Sequence, residues 1–525
     1  MTMTQNRLSL LISLFLMTVA NMSFWGNTME IYPPVAENIG FLISLFILLV
    51  SLNTFLLALF GFRYTLKPLL ILVLIVSSFT AYFMDSYHIV IDTGMMRNTL
   101  QTNLSESLDL LSLKMLGYLF FLGLLPSYVV YKIQLTPQKL SSALLAKGIR
   151  LITSTLLIAG SMYLYSKHYT SFVREHQPLR YSVNPDYWIY SIVKYVKKNY
   201  FNAPIVLQPV GRDAKIPDHI KPKLIIMVVG EATRADHWGL NGYTPDTTPQ
   251  LDTQNVVNFS TLHSCDTATA QSVPCMFSKF GREDFDYRKG VGYENVLDIL
   301  HHTGKVSLLW RDNNSDSKGV ALRIPYEDYR TSKHNTICEG GECRDEGMLI
   351  GLDRYIADQN GSHILITLHQ MGNHGPAYYK RYPKQYAQFT PVCTTNQLEK
   401  CTQQEISHAY DNAVLHTDDF LTQTITLLKQ YQNSYDVGLI YMADHGESLG
   451  ENGVYLHGMP YFMAPDAQKH VAGIMWFSDQ NRTKQLKQRA DKPYSHDHLF
   501  HTLLGIFGVE TAVYDPDLDI LHEIP

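Results

Sequence analysis

Acidic and imidazole side chains follow apolar, strand-like runs at three places in the second half of the chain. The runs are 223–230, 363–368 and 437–442, and the side chains are Glu231, His374, Asp444, His445 and, a little further on, His457. Carboxylate oxygens and imidazole nitrogens are the ligands of an oxygen/nitrogen zinc site. Together they predict a metal site, whereas each histidine taken alone is explained as well by a hydrogen-bonded loop residue.

A nucleophile is expected beside such a metal, because coordination to zinc stabilises an alkoxide and so activates a hydroxyl group. The small-residue stretch 264–275 offers the hydroxyls of Thr267, Thr269 and Ser272. Spacing does not choose among them. The alternative is a Ser/Thr-rich disulfide loop with no part in catalysis.

Buried parallel strands would bring these residues together. Short apolar runs rich in branched residues are typical of such strands, and open α/β sheets carry their chemistry at the carboxyl ends of the strands. Asp444 and His445 are adjacent, so both reach one metal only at a tight bend, which Gly446 permits. The second half is therefore predicted to be an α/β domain.

The cysteines indicate an exported domain. They form three close pairs, none with C-x-x-C spacing, at Cys265 and Cys275, Cys338 and Cys343, and Cys393 and Cys401. We expect a disulfide within each pair and hence an oxidising compartment. Neither Cys265 nor Cys275 begins the C/S-x-P-x-R segment from which sulfatases make their nucleophile, so a sulfatase-type reaction is not expected.

The 525 residues fall into two unlike parts, and the first, to about residue 168, is mostly Leu, Ile, Val and Phe. About five apolar stretches in it are long enough to cross a membrane, at 8–25, 39–62, 68–83, 115–131 and 148–165. Lys and Arg concentrate at the ends that the positive-inside rule assigns to the cytoplasm, together with the N-terminus. Five spans then place the C-terminal domain on the outer side of the membrane.

Two further segments are amphipathic. Asn98, Thr102 and Glu106 recur every four residues, which aligns them on one helix face, either as a solvated surface or as a binding surface. The segment 184–200 mixes aromatic and apolar residues with lysines, as an interfacial helix does, with its Tyr and Trp at headgroup depth. We therefore divide the chain into a transmembrane domain (1–168), an interfacial helix and linker (169–222) and a catalytic domain (223–525).

Six segments together resemble a known family, the lipid A phosphoethanolamine transferases, which include the mobile colistin resistance enzymes. The segments are 228–236, 241–243, 264–277, 310–315, 369–377 and 444–452. The resemblance extends over essentially the whole chain. It implies an α-helical membrane domain of about five spans and a periplasmic α/β domain of alkaline-phosphatase/sulfatase-like fold, with a mostly parallel sheet flanked by helices.

The resemblance also implies roles for individual residues. Thr269 is the expected nucleophile, and Glu231, Thr269, Asp444 and His445 are the expected zinc ligands. His374 and His457 are expected to take part in catalysis, holding the substrate phosphate or a second zinc. The other expected substrate contacts are Asn98, Thr102, Glu106, Asn314 and Lys318.

The implied enzyme is a zinc-dependent transferase of the Gram-negative inner membrane. It moves phosphoethanolamine from phosphatidylethanolamine to a lipid A phosphate through a phosphoethanolamine-threonine intermediate, which confers resistance to polymyxins and cationic peptides. The partners are these two lipids and the membrane, and no nucleic acid. Three alternatives stay open: another envelope acceptor (lipopolysaccharide core, glucan or protein), a lipoteichoic-acid-type glycerol-phosphate transferase, and a catalytically silent lipid-binding sensor. The sequence leaves the oligomeric state open.

Overall fold

The computed structural model describes residues 2–101, 109–174, 176–200, 205–218, 221–359 and 362–524. The chain forms two compact units. The first comprises Met1–Met96 and Leu111–Asn202, and the second comprises Arg97–Leu110 and Ala203–Pro525.

The first unit is helical, and one helix, α5, runs from it into the second unit. The helices are α1 (Gln5–Val19), α2 (Met22–Ile31), α3 (Ala36–Phe60), α4 (Leu66–Tyr87), α5 (Thr93–Gln101), α6 (Leu113–Lys132, with a π-helical part at Leu119–Leu124), α7 (Leu140–Leu164), α8 (Ser166–Arg174), α9 (Gln177–Tyr181) and α10 (Asp186–Tyr200). Two short strands, β1 (Thr2–Met3) and β2 (Gln134–Leu135), pair in parallel.

Four of these helices, α3, α4, α6 and α7, are long and apolar enough to cross a membrane. The bent pair of α1 and α2 makes a fifth span if it is counted as one. The sequence predicted an uninterrupted first span at 8–25, but α1 and α2 meet at an angle of 60°. The bend lies at Asn21, whose side chain bonds to the backbone N–H (2.9 Å) and carbonyl (2.5 Å) of Asn184 instead of facing lipid.

The expected amphipathic helix is α10, and its first turn is held inside the helical unit. Asp186 accepts a hydrogen bond from Asn53 at 3.0 Å, and Trp188 is only 5% exposed. The indole N–H of Trp188 donates to the Asn184 side chain at 3.2 Å. The depth of Trp188 relative to the lipid headgroups stays a prediction, and within the protein its side chain packs in the helical core.

The second unit contains a sheet of seven strands in the order β4-β14-β11-β3-β10-β6-β7. The strands are β3 (Lys223–Gly230), β4 (Val257–Asn258), β6 (Val306–Asp312), β7 (Tyr326–Asp328), β10 (His363–His369), β11 (Asp436–Ala443) and β14 (Gly473–Phe477). From β11 to β7 all neighbours are parallel, and β14 is antiparallel to β11 and β4. The mostly parallel sheet predicted from the apolar runs is confirmed.

Shorter elements surround this sheet. The strands are β5 (Leu262–His263), β8 (Cys338–Glu339), β9 (Glu342–Cys343), β12 (Ser448–Leu449), β13 (Tyr455–Leu456) and β15 (Tyr494–Ser495). The helices are α11 (Pro249–Asp252), α12 (Thr269–Met276), α13 (Tyr287–Gly292), α14 (Val296–His302), α15 (Leu352–Asp358), α16 (Gln403–Lys429), α17 (Gln480–Lys487) and α18 (Leu499–Ile506).

The longest of these helices, α16, shows why the sequence folds locally as it does. Thr402 and Glu405 form a capping box at its start, which satisfies backbone N–H groups that have no partner within the helix. Its buried face, which includes Ile406, Phe420 and Leu428, packs towards β11. The apolar residues of β3 and β11 are buried as expected for a strand in the middle of a covered parallel sheet.

The three predicted disulfides are confirmed. They join Cys265 to Cys275, Cys338 to Cys343 and Cys393 to Cys401. The first encloses the stretch that carries the three candidate hydroxyls, so the geometry of that loop is fixed covalently.

Candidate active site

Two adjacent parallel strands deliver three of the predicted ligands to one point. Gly230 of β3 pairs with Ala443 of β11, so Glu231 and Asp444 leave the sheet side by side. Both carboxylates and the following His445 are completely buried. This is the carboxyl edge of the sheet, where the sequence predicted the site.

Thr269 completes the cluster as the first residue of α12. Its hydroxyl lies 3.2 Å from Glu231 Oε2 and 3.2 Å from His445 Nε2. The other two candidate hydroxyls are engaged elsewhere, because Thr267 donates to the Met459 carbonyl and Ser272 to the Asp444 carbonyl, each at 2.5 Å. Of the three hydroxyls that sequence spacing left open, Thr269 is the one that faces the cluster.

The donor atoms have the spacing of a tetrahedral zinc site. His445 Nε2 lies 3.3 Å from Glu231 Oε1 and 3.5 Å from Asp444 Oδ2. Ligands of a tetrahedral zinc with bonds of ~2.0 Å lie about 3.3 Å from one another. Within the described part of the chain, Glu231 Oε1 and Asp444 Oδ2 are buried and accept no hydrogen bond, so both have lone pairs free for a cation. The residues therefore fit a bound zinc ion.

Neighbouring groups orient these donors. His445 Nδ1 lies 2.8 Å from the Gly446 carbonyl, a contact in which the ring nitrogen donates, and this leaves Nε2 to face the cluster. Asp444 Oδ1 accepts from the backbone N–H groups of His445 (2.8 Å) and Ala232 (3.2 Å), so that Oδ2 points inward. Glu231 Oε2 accepts from the side-chain amide of Asn314 at 2.8 Å.

The electrostatics of the cluster favour positive charge. Burial alone would lower the pKa of His445, but Asp444 and Glu231 raise it to about 10. Burial would raise the pKa of Glu231, yet His445 holds it well below its usual value, while burial and the charge of Glu231 raise the pKa of Asp444. Two carboxylates share one imidazole, and a divalent cation would compensate them more completely than a single proton.

Gly446 is needed because another chain segment approaches closely. A Cβ at this position would lie 2.0 Å from the carbonyl oxygen of Ala467. The Gly446 N–H donates to the Gln468 carbonyl at 3.0 Å, and this bond fixes the loop after Asp444 and His445.

Two more of the predicted histidines border the cluster. The ring of His457 lies 4.2 Å from that of His445 and 5.6 Å from that of His374. Glu231, His445 and His457 each present a donor atom within 4.8 Å of the others, close enough for one metal ion. His457 therefore lies beside the same donor atoms as Glu231 and His445.

A buried glutamate that we had not predicted holds His457. Glu447 is fully buried, and its Oε2 lies 2.7 Å from His457 Nδ1. Its Oε1 accepts from the Tyr378 hydroxyl at 2.8 Å. Because a carboxylate only accepts, Nδ1 of His457 carries the proton and Nε2 is left free as an acceptor. Its position two residues after His445 was the available signal.

The other residues predicted to contact the substrate do not all lie at the donor cluster. Asn314 is buried behind Glu231 and also donates to the Gln370 carbonyl at 2.7 Å. Lys318 is buried and donates to the Ser315 carbonyl at 2.7 Å. Asn98 lies in α5, next to Arg97, whose guanidinium stacks 3.9 Å above the ring of Tyr287. Thr102 and Glu106 lie outside the described residues.

A second layer of charge lies behind the cluster. His369 Nδ1 and the indole N–H of Trp310 each lie 2.9 Å from Asp312 Oδ2. All three side chains are buried. Burial by itself lowers the pKa of His369, but Asp312 and, less strongly, Asp444 raise it. The segments around Trp310 and His369 both contribute to the family resemblance. Nothing local in the sequence indicates, however, that His369 bonds to Asp312, which lies 57 residues earlier.

This fold and donor set define the class of protein. Residues 223–509 match the sulfatase domain family, which identifies the second unit as an alkaline-phosphatase-superfamily domain. Residues 49–200 match the family described as phosphoethanolamine transferase EptA/EptB.

Several known proteins match this chain over nearly its whole length. The chain is 44% identical over 511 residues to phosphatidylethanolamine transferase Mcr-2 of Escherichia coli, covering 95% of this chain and 94% of that one. It is 37% identical to phosphoethanolamine transferase EptA of Escherichia coli, covering 98% and 96%. The integral membrane lipooligosaccharide phosphoethanolamine transferase A of Neisseria meningitidis matches with a TM-score of 0.95 at 33% identity, covering 100% and 99%. The chain therefore belongs to the phosphoethanolamine transferase family.

Proposed function

We propose that this enzyme transfers phosphoethanolamine from phosphatidylethanolamine to a phosphate of lipid A through an ester on Thr269. The observation that carries the proposal is the Thr269 hydroxyl, which lies 3.2 Å from both a Glu231 oxygen and His445 Nε2. Glu231, Thr269, Asp444 and His445 would hold zinc, which stabilises the threonine alkoxide and the charge on the phosphoryl oxygens.

In the first step the Thr269 oxygen bonds to phosphorus, and the bond from phosphorus to the diacylglycerol oxygen breaks. The Thr269 proton passes to Nε2 of His457, the nitrogen that the contact with Glu447 leaves free to accept, and the leaving oxygen takes a proton from His457 or from His374 beside it. In the second step an oxygen of the lipid A phosphate bonds to the same phosphorus, the bond from phosphorus to the Thr269 oxygen breaks, and that oxygen takes a proton through the same histidines to restore the hydroxyl. The position of Thr269 at the start of α12 supports this, since a helix N-terminus favours negative charge.

The lipid substrates account for the membrane unit. We infer that the N-terminus is cytoplasmic and the catalytic domain periplasmic, as the Lys and Arg distribution indicates. Three disulfides support an oxidising compartment. Adding the cationic headgroup lowers the negative charge of lipid A, and we expect cells that express the enzyme to bind fewer polymyxin molecules.

Full-length protein in liposomes tests the proposal. The liposomes contain phosphatidylglycerol, lipopolysaccharide with its lipid A and core sugars, and phosphatidylethanolamine labelled in its ethanolamine group; glucan and an envelope protein fraction are added outside, and Thr269→Ala is the matched control. We expect label on lipid A with the wild type and none with the variant. Label on core sugars, glucan or protein, but not on lipid A, would identify one of the other acceptors. Turnover of phosphatidylglycerol in place of phosphatidylethanolamine would contradict the proposed donor.

A further inference from the structure

A crevice of about 450 Å³ opens between three helices of the membrane unit, α1, α3 and α7. Both α1 and α7 pack on α3, which forms the floor. Most of the lining is apolar, with Leu14, Phe46 and Leu157 among the side chains. The volume falls in the range of roughly 300–1,000 Å³ that is typical of small-molecule sites.

Arg150 of α7 lines this crevice, and no residue that the structure describes supplies a counter-charge there. Its side chain is half-buried, and Nη1 donates to the hydroxyl of Ser9 at 3.2 Å. Among the described residues, Nε is buried without a hydrogen-bond partner, no ion pair includes Arg150, and no acidic residue lines the crevice. A cationic group between membrane helices is costly unless an anion or water compensates it, so its partner is expected from outside the protein.

The charge lies at one end of the crevice. Asn6, near the start of α1, lines the same end, and Lys147 lies one turn before Arg150 on α7. From Arg150 to Leu157 the lining extends about 10 Å along α7, at ~1.5 Å per residue. The crevice is thus cationic at the end where α1 begins. The rest of its lining is mostly apolar, with the hydroxyl side chains of Ser51, Thr54, Thr153 and Ser154 among the leucines and isoleucines.

We propose that this crevice binds one anionic glycerophospholipid. The lipid phosphate contacts Arg150 beside Asn6, and one acyl chain lies along the apolar part towards Leu157. A peptide segment would bring backbone polar groups into the apolar part, whereas an acyl chain brings none. Basic pockets between spans bind anionic headgroups in this way. The site lies within the membrane unit and does not depend on the transfer reaction.

Native mass spectrometry of the full-length protein tests this binding. The protein is placed in nanodiscs with equal amounts of phosphatidylglycerol and phosphatidylethanolamine of matched chains, and the lipid that stays bound after release into mild detergent is counted. Arg150→Gln removes the charge, Arg150→Lys keeps it, and Ser154→Leu fills the crevice. Arg63→Gln is the control, because Arg63 is an exposed cation in the loop between α3 and α4, outside the lining.

The wild type is expected to retain phosphatidylglycerol in preference to phosphatidylethanolamine. Arg150→Gln should retain it about fivefold less, as the loss of one cationic contact predicts, while Arg150→Lys and Arg63→Gln keep the preference. Equal losses in Arg150→Gln and Arg63→Gln would show a general surface-charge effect and overturn the site. So would a wild type without the preference. If Arg150→Gln does not fold, Ser154→Leu decides, since wild-type retention in that variant contradicts a chain in the crevice.

Discussion

Glu447→Gln isolates the role of the carboxylate that holds His457. Glutamine has nearly the same shape. In the orientation that keeps its oxygen on the Tyr378 hydroxyl, its NH₂ group donates where the carboxylate accepted. His457 Nδ1 must then accept, so the proton moves to Nε2, the nitrogen left to face the cluster. The substitution therefore inverts the tautomer of His457 and leaves the packing of this fully buried position unchanged.

The expected magnitude follows from the type of contact. Loss of a carboxylate that orients a histidine at a metal or catalytic site costs about 10- to 100-fold in activity, which is roughly 1.4 to 2.7 kcal/mol in the barrier. Only one hydrogen bond changes, so the unfolding temperature should stay within about 4 °C of the wild type. The assay is the rate of phosphoethanolamine release from labelled lipid donor, with thermal unfolding measured on the same preparation.

Tyr378→Phe provides the matched comparison. It removes the donor to the other oxygen of Glu447 and leaves the proton on His457 Nδ1, so kcat should fall by no more than about threefold. The reasoning is refuted if Glu447→Gln keeps the wild-type kcat. It is refuted as well if Tyr378→Phe loses as much activity as Glu447→Gln, since the effect would then lie in packing.

Three other substitutions test separate parts of the second unit. Asp109→Asn should lower the free energy of unfolding by about 2 kcal/mol in denaturant titrations, because the buried Arg381 loses one of its two carboxylate partners; an unchanged midpoint would contradict this. Thr267→Val should cost about 1–3 kcal/mol of stability, since the buried Met459 carbonyl loses its donor, while kcat per folded molecule stays within about threefold; complete loss of turnover would argue against Thr269 as the nucleophile. Burial lowers the pKa of His496 to about 3, so between about pH 3 and pH 6.5 the unfolded state binds a proton that the folded state does not bind. Stability should therefore fall as the pH drops from about 6.5 towards 3, by at most ~1.4 kcal/mol per pH unit, and His496→Gln should remove that part of the slope in unfolding titrations.

The ligand cluster could be predicted from the sequence because its residues directly follow the runs that form parallel strands. Glu231 and Asp444 both come directly after apolar runs, and parallel pairing brings the ends of such runs to one edge. The local disulfides were accessible for a similar reason, since each pair is close along the chain. The choice of Thr269 over Thr267 and Ser272 came from the family resemblance, because three hydroxyls in one loop have the same chemistry.

Contacts between segments far apart in the chain could not be predicted from the sequence. Arg381 pairs with Asp109 across 272 residues, and its Nε also donates to the carbonyl of His374 at 2.7 Å. Nothing near Asp109 in the sequence indicates a buried partner. The bend at Asn21 was missed for the same reason, since it depends on the backbone of Asn184. Hydropathy alone describes the segment 8–25 as one apolar run.

The most direct test of the account is mass spectrometry of the peptide that carries Thr269, from full-length protein incubated with phosphatidylethanolamine and no acceptor. The account predicts a phosphoethanolamine adduct on Thr269 that is absent in Thr269→Ala and disappears when lipid A is added. Donor cleavage by zinc-loaded protein with Thr269 unmodified would contradict it, because the phosphoryl group would then pass directly to water or through another residue.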